Sequence, residues 1–510
     1  MQSGISKPGY NVFSAVILFL LDGNTKMERA GKDIAPQNET WSYSAREVCG
    51  LLNGRFKGDL LRPGESGYED ARSVWNGMVS RSPSLIARCA SISDVQNAVK
   101  AASATGILTA IRCGGHSLAG FSTCDGLVID LSRMREVALD SDNRRARISG
   151  GCLLGSIDSA TQKAGLVFPS GVVSHTGASG LILGGGTGWL TRRFGLSCDN
   201  VEGFTMVTAD GSLVHCSESK NPDLFWALRG GGGNFGVVTE FELRLHPLTS
   251  VVLGEGLAPE RDIRRVLQFW REFMAGAPFE LKWNIDLRLA PQAKNVPVAL
   301  RGRPVAGSSV LWTGDPESGH PYLERALSLC HRDSVRTRRM SFLELQTMAD
   351  LAFPHGRRYY TKSGYFADLD DATIDCLIAA MSDIPSPDTQ IELAYLGAAA
   401  ALVPATETAF GDRSAPIIVN LLANWLEPTL DTANITWVRQ LFYKLRPAMK
   451  PGVYVNFMSA DEQDRVPEAY HERWERIVEV KSHYDPANFF RLNQNVPPKK
   501  TIPVQRAADK

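Results

Sequence analysis

The sequence has no net charge: 55 lysines and arginines face 55 aspartates and glutamates over 510 residues, and no block of like sign stands out. Nothing in that balance favours a phosphate backbone or an anionic bilayer, so neither nucleic acid nor a membrane is an expected partner. Paired cysteines are also missing. The nine present are odd in number and none forms C-x-x-C, which indicates neither a disulfide framework nor a zinc site. The nine histidines are scattered with no H-E-x-x-H, so metal ligands would have to be gathered by the fold alone, and no metal is expected. The longest largely apolar run, Val12 to Leu21, is about half of the ~20 residues a spanning helix needs. It follows Lys7 as the apolar part of a secretory signal would. Asp22-Gly23-Asn24 offers no small-x-small cleavage site, however, so a cytoplasmic location is expected over secretion. Asn38-Glu39-Thr40 and Asn434-Ile435-Thr436 fit the glycosylation acceptor, a pattern common by chance.

What is present is a globular composition, 44% hydrophobic and 22% charged, in a chain long enough for a large two-lobed enzyme. Residues 1–79 read as a loose lead-in with a short helix near 44–53 and no visible chemistry. From Leu85 a strand, a helix opened by a capping box at Ser93-Asp94-Val95-Gln96 and ended by Gly106, and a strand over Ile107–Arg112 deliver the chain into Cys113-Gly114-Gly115-His116-Ser117. A second unit runs through Leu127–Leu131, Ala146–Ser149 and a helix near Leu153–Lys163 into Pro169–Gly188, where seven of twenty residues are glycine. Such a backbone turns tightly or lets something approach closely. Strands over Val201–Val207 and Val237–Leu245 flank a helix with Asn221 as cap and Pro222 at its first position. Beyond Pro247 glycine thins out. Helices at 263–275, 322–330, 371–382 and 433–445 interleave with strands at 280–289, 310–313, 390–396 and 417–425, a pattern that predicts an antiparallel sheet with helices on one face. Val453–Phe457 reads as one more strand.

The glycine clusters invite a dinucleotide reading that their context denies. Gly231-Gly232-Gly233-Asn234-Phe235-Gly236 satisfies G-x-G-x-x-G, but a helix precedes it and a strand follows, the reverse of the Rossmann order. Gly184–Gly188 fails at Trp189, and around Ser179 the hydrolase elbow fails at Leu181. Arg112 to Ser117 is more informative, because a strand ending in Gly-Gly presents successive N–H groups to a pyrophosphate as an anion-binding nest. His116 would stand beside it; taken alone, it is equally a turn histidine capping a carbonyl.

Together with Pro169–Gly188, Asn221–Glu240 and the tail Tyr484-Asp485-Pro486-Ala487-Asn488-Phe489-Phe490-Arg491-Leu492-Asn493-Gln494-Asn495-Val496-Pro497-Pro498, these residues resemble the berberine-bridge-enzyme-like FAD-linked oxidases of the vanillyl-alcohol-oxidase, or PCMH-type, FAD-binding superfamily. The resemblance spans about 430 residues. It implies an α+β, two-lobed flavoprotein: a PCMH-type FAD-binding domain at 80–247, an antiparallel-sheet substrate domain covered by helices at 248–450, and a C-terminal segment, 451–510, returning to the FAD lobe. It also implies covalent attachment of FAD to His116, with Arg112, Gly114, Gly115, Ser117, Gly177, Ser179, Gly180 and Gly185 cradling it. Val173 falls where some members carry a second, thioether-forming cysteine, so one link is expected. Thr176 falls at the oxygen-gating position, and Asn456 and Asn493 resemble flavin-contacting asparagines, with loop capping as the alternative.

The implied reaction is oxidation of an alcohol or activated C–H in a small molecule of secondary metabolism or a sugar, by hydride transfer to the flavin with O2 as acceptor. A dehydrogenase using another acceptor, and a binding protein on a decayed oxidase fold, remain as alternatives. Tyr454 is the expected base, with His175 as a second catalytic candidate and a packed strand aromatic as the other reading of Tyr454. Asn420 and Asn424, four apart on one strand, face the same way. Tyr359 and Tyr360 are candidates for stacking on substrate.

Overall fold

The strands of the first half of the chain are at most eight residues long, whereas most strands of the second half run nine or ten residues. The structure, a computed structural model, describes residues 42–499. The apolar run at 12–21 and the Asn38 acceptor lie outside the described residues.

The first lobe, which the resemblance assigns to FAD, carries a four-stranded sheet of β1 (Asp59–Leu61), β2 (Leu85–Arg88), β3 (Thr109–Arg112) and β4 (Leu127–Asp130), in the order β1-β2-β4-β3. Beside it lies a five-stranded sheet, β5-β6-β10-β8-β9, from β5 (Val137–Asp140), β6 (Arg145–Ser149), β8 (Val201–Val207), β9 (Leu213–Ser217) and β10 (Val237–Arg244), while β7 (Leu166–Val167) pairs with β11 (His246–Pro247). The substrate lobe is one antiparallel sheet in the order β15-β12-β14-β13-β17-β18-β16. Its strands are β12 (Ser250–Pro259), β13 (Leu281–Leu289), β14 (Pro304–Trp312), β15 (Arg336–Ser341), β16 (Arg358–Phe366), β17 (Gln390–Tyr395) and β18 (Ile417–Trp425). Leu281, Trp283, Ile285 and Leu287 of β13 alternate into a core with Trp270, Leu323, Ile374 and Trp437 from the helices Ile263–Ala275, Pro316–Leu327, Asp371–Ala380 and Asp431–Leu445. Successive side chains of a strand point to opposite faces, so Lys282, Asn284 and Asp286 lie on the face away from those helices.

Several expectations need correcting. Residues 42–79 are no loose lead-in. The helix Tyr43–Leu52 buries Ala45, Val48 and Leu52 against the helix Ile92–Thr105, β1 pairs with β2, and Tyr68 donates its hydroxyl to the Pro83 carbonyl. The cap of the helix Ile92–Thr105 is Ser91, two residues before the expected box, because Ser91 Oγ accepts from Asp94 N at 3.2 Å. Asn221 precedes its helix at φ 50° but its amide donates to the His215 carbonyl, so it caps nothing. Val453–Phe457 forms no strand: Val455–Phe457 is a 3-10 turn following Gly452 at φ 125°. The glycosylation acceptor Asn434 is fully buried, bonded to Thr389 and to the Leu430 carbonyl.

The tail docks on the FAD lobe. Phe490 packs in the core with Leu127 and Ile129, and a buried ion pair, Lys481–Asp485 at 2.6 Å, ties the final helix to the loop that follows it. The nine cysteines are all free thiols, and among the described residues no helix is long and apolar enough to cross a membrane.

Candidate functional site

One long cavity runs between the lobes. The Cys113–Ser117 turn, Gly171 to Val173, Thr176, Gly177, Ser179, Gly180, Gly232 to Asn234, Tyr454 to Met458 and Leu492 to Gln494 line it from the first lobe, and Lys282, Asn284, Glu392, Ala394, Ile418 and Asn420 line it from the sheet. The glycines open it. A side chain at Gly114 would strike the Gly177 backbone nitrogen, so the two loops meet backbone to backbone, whereas Gly180 and Gly233 have open space where a Cβ would stand. Gly115 sits at φ 71°, a conformation that favours glycine. Ser122 Oγ and Asn493 Oδ1 line the same cavity, buried and without hydrogen-bond partners. Bare glycine walls and unpartnered polar atoms along the cavity fit a polar cofactor such as FAD.

His116 stands on the cavity wall, half-buried, its ring stacked on Trp75 at 4.9 Å. Its Nε2 is 2.7 Å from His175 Nδ1, and its Nδ1 is 3.5 Å from Thr176 Oγ1. Burial, reinforced by His175 and His355, pushes its pKa well below the usual histidine value, so the ring is neutral near pH 7. A neutral imidazole keeps a lone pair on one nitrogen, which is the state a nucleophile or ligand requires.

The ring nitrogens of His116, His175 and His355 lie within 4.8 Å of one another, a convergence that the scattered sequence positions did not foretell. These are the residues that could hold a transition metal. The 2.7 Å between His116 and His175 is a hydrogen-bond length, however, and shorter than the roughly 3.3 Å that separates two nitrogens on one tetrahedral zinc. The pair is therefore a hydrogen-bonded one.

Two expected cofactor contacts point elsewhere. Thr109, Ile111 and Cys113 face the cavity, so strand alternation turns Arg112 the other way, where its guanidinium donates to the Ala71 and Ser73 carbonyls. Gly185, at φ 117°, is packed against the Phe410 ring, and Thr187 and Gly188 reach the cavity in its place. Gly114, Gly115, Ser117, Thr176, Gly177, Ser179, Gly180, Asn456 and Asn493 all line it, as does Val173. Ser179 nonetheless spends its hydroxyl on the Gly150 carbonyl, and Ser117 Oγ accepts from Phe121 N.

Of the catalytic candidates, His175 does not line the cavity: it lies behind His116, next to Ser174, whose N–H and hydroxyl both bond Asp350 of the substrate lobe. Tyr454 does line it. Its hydroxyl accepts from Asn456 Nδ2 at 2.9 Å and from Gly186 N at 3.1 Å, and burial pushes its pKa up to about 12 despite those donors. Asn420 reaches the cavity, while Asn424 accepts from Arg357 and donates to the Ala352 carbonyl outside it. Neither tyrosine of the expected stacking pair lines the cavity. Tyr359 stacks on Trp75 at 3.7 Å, and Tyr360 points to the helix face, bonded to Asp461.

Trp75, Lys282, Asn284 and Glu392 escaped the sequence reading. Period-2 polar residues in Leu281-Lys282-Trp283-Asn284-Ile285-Asp286-Leu287 were a legible signal of a strand with one polar face. Trp75 gave none, because its place depends on a partner 278 residues away. Its N–H bonds the Gly115 carbonyl, its indole bonds the Phe353 carbonyl, and the adjacent Asn76 brackets Tyr359, so this short segment joins the histidine loop to the substrate lobe.

The FAD binding domain family matches residues 83–217, and the berberine and berberine-like family matches residues 453–497. An FAD-linked oxidoreductase of Dictyostelium discoideum is 30% identical over 460 residues, covering 89% of this chain and 98% of that protein. The (R)-6-hydroxynicotine oxidase of Paenarthrobacter nicotinovorans is 42% identical over 199 residues, 39% of this chain and 43% of the other. Among solved structures, 6-hydroxy-D-nicotine oxidase from Arthrobacter nicotinovorans superposes with a TM-score of 0.78 at 28% identity, covering 87% of this chain and 98% of that one.

Proposed function

Because the chain belongs to the berberine-bridge-enzyme-like FAD-linked oxidoreductases, we propose that it oxidises an alcohol or activated C–H of a small molecule, a natural product or a sugar, with O2 as electron acceptor, and that its FAD is bonded covalently through His116 alone. The observation that carries this reading is His116 itself: neutral, on the cavity wall, one nitrogen held by His175, with a valine at position 173 on the same wall. The oxidase named among the relatives supports O2 as acceptor.

FAD, when bound, supplies a two-electron oxidation. The chain's own residues supply the rest. Gly114, Gly115, Gly177 and Gly180 give the cofactor backbone contact, and Ser122 and Asn493 offer it unpartnered polar atoms. Trp75 and Thr176 hold the His116 ring in place. Tyr454, whose oxygen already accepts two hydrogen bonds and whose proton is held to about pH 12, acts as a donor that orients the substrate oxygen.

Reoxidation decides the acceptor. Protein reduced under argon and then mixed with air should regain its flavin absorbance faster than it turns over with an artificial acceptor; slower reoxidation favours a dehydrogenase. For Tyr454→Phe, the Gly186 N–H loses its partner inside the protein, so stability should fall by about 1–3 kcal/mol. Losing an orienting hydrogen bond should slow flavin reduction by about tenfold to a hundredfold. Stopped-flow absorbance and chemical denaturation read the two effects separately, and a fall near 10⁴-fold would make the phenol the proton acceptor after all.

A further inference from the structure

Removing the substrate's hydroxyl proton needs an acceptor on the cavity wall, and with His116 assigned to the cofactor the ionisable groups there include Lys282, Glu392 and Tyr454. Burial holds the Tyr454 phenol protonated, with its pKa pushed up to about 12, His175 is off the wall, and Asn284 and Asn420 do not ionise. We propose that Lys282 takes the proton of the substrate hydroxyl, and that Glu392, on the neighbouring part of the sheet, stabilises the ammonium so formed. This rests on the reading above that a hydroxyl-bearing molecule is oxidised in this cavity.

Lys282 is placed by its strand. Leu281 and Trp283 are locked in the helix-covered core on either side of it, so its side chain must leave on the cavity face, where it lines the wall while only 4% exposed. Among the described residues no carboxylate lies within 4.0 Å of its Nζ, and Nζ makes no hydrogen bond. A buried amine in that condition is either costly or kept for a ligand. Burial and two charged groups set its charge. Glu392 on β17 favours the ammonium; Arg192, whose guanidinium is pinned to the Leu281 and Leu396 carbonyls, opposes it; burial opposes it most. The result is a pKa pushed down to about 8, which leaves roughly a tenth of the amine neutral at pH 7 and puts it in the range where a general base works best. Asp286, register-paired with Glu392, sits behind it with its own pKa pushed up to about 7 by burial and by the Glu392 charge, so the two carboxylates together favour a single negative charge.

Tyr454 lines the same cavity and clusters with Ala394, Leu396 and Ile418 of the sheet lobe. Two residues along β13 from Lys282, Asn284 Oδ1 is buried without a partner and faces the cavity as an acceptor for a second hydroxyl. In the step itself the substrate O–H bond breaks and its proton goes to the Lys282 lone pair. The electron pair left on oxygen completes a carbonyl as the carbinol C–H bond breaks, and its hydride goes to the bound FAD, the two-electron oxidant.

Competitive acetylation tests the amine without any substrate. Flavin-loaded protein treated with trace acetic anhydride from pH 6 to 11, with peptides quantified by mass spectrometry, should show half-maximal reactivity of Lys282 near pH 8, against about 10.4 for an unperturbed lysine. A midpoint at the unperturbed value, or no labelling at any pH, overturns the proposal. Lys282→Met, matched to the parent in flavin content, is then mixed anaerobically with benzyl alcohol, cinnamyl alcohol and glucose. Whichever bleaches the parent should bleach the variant about 10²–10⁴-fold more slowly, with partial rescue by methylamine; equal rates overturn the assignment. If none bleaches the parent, the alcohol-oxidising reading fails, while the acetylation midpoint still judges Lys282.

Discussion

Replacing His116 by alanine should remove all acid-stable flavin from the protein. Val173 cannot form a thioether, and the nearest thiol on the cavity wall, Cys113, is spent on the Cys152 carbonyl with its pKa raised by burial. A thiol held protonated is a weak nucleophile. This leaves His116, among the described residues of this wall, as the group proposed to bond the cofactor. After acid precipitation the parent pellet should be yellow, whereas the His116→Ala pellet should be colourless and its supernatant yellow. Non-covalent FAD should persist in the native variant, because the glycine walls do not depend on the imidazole, and Trp75 keeps its bonds to Gly115 and Phe353. Colour retained in the variant pellet would point to Cys113, and a colourless parent pellet would end the covalent reading.

The second large effect is on stability. Lys481 and Asp485 are both fully buried; the ammonium also donates to the Asn234 and Phe490 carbonyls, and the carboxylate also accepts from the Phe489 and Phe490 amides. Asp485→Ala leaves a buried ammonium without its counter-charge and two amides without acceptors. Breaking one side of such a pair costs about 3–5 kcal/mol. The loop it anchors carries Phe490 into the core and Asn493 and Gln494 onto the cavity, so FAD retention should fall with stability. Glu479→Ala breaks an ion pair to Lys499 whose side chains are 62% and 52% exposed, and should cost less than about 1 kcal/mol. Denaturant unfolding of the two variants side by side measures the contrast; equal losses would mean the buried pair does not anchor the tail.

Where local physics was strong, the sequence was readable. Gly106 ends a helix at φ 66° because the left-handed turn favours glycine, and the mostly apolar stretch Ile417–Trp425 is a strand. The glycine loops, His116 and the tail were legible because each is a contiguous segment. Arg112 and Gly185 stand off the cavity, because a motif names residues without saying which way alternation or a left-handed turn points them.

The sequence by itself determined the α+β mixing and the glycine loops from periodicity and turn chemistry, and its resemblance to the berberine-bridge-enzyme-like family assigned those loops and the adjoining His116 to FAD. The tertiary structure alone decided that Trp75 covers that histidine, that His175 stands behind it and off the cavity, and that Lys282 and Glu392 share a wall with Tyr454. Those placements join side chains that stand far apart along the chain. Their register is set by burying the opposite face of each strand, and no window along the chain contains both halves of that constraint.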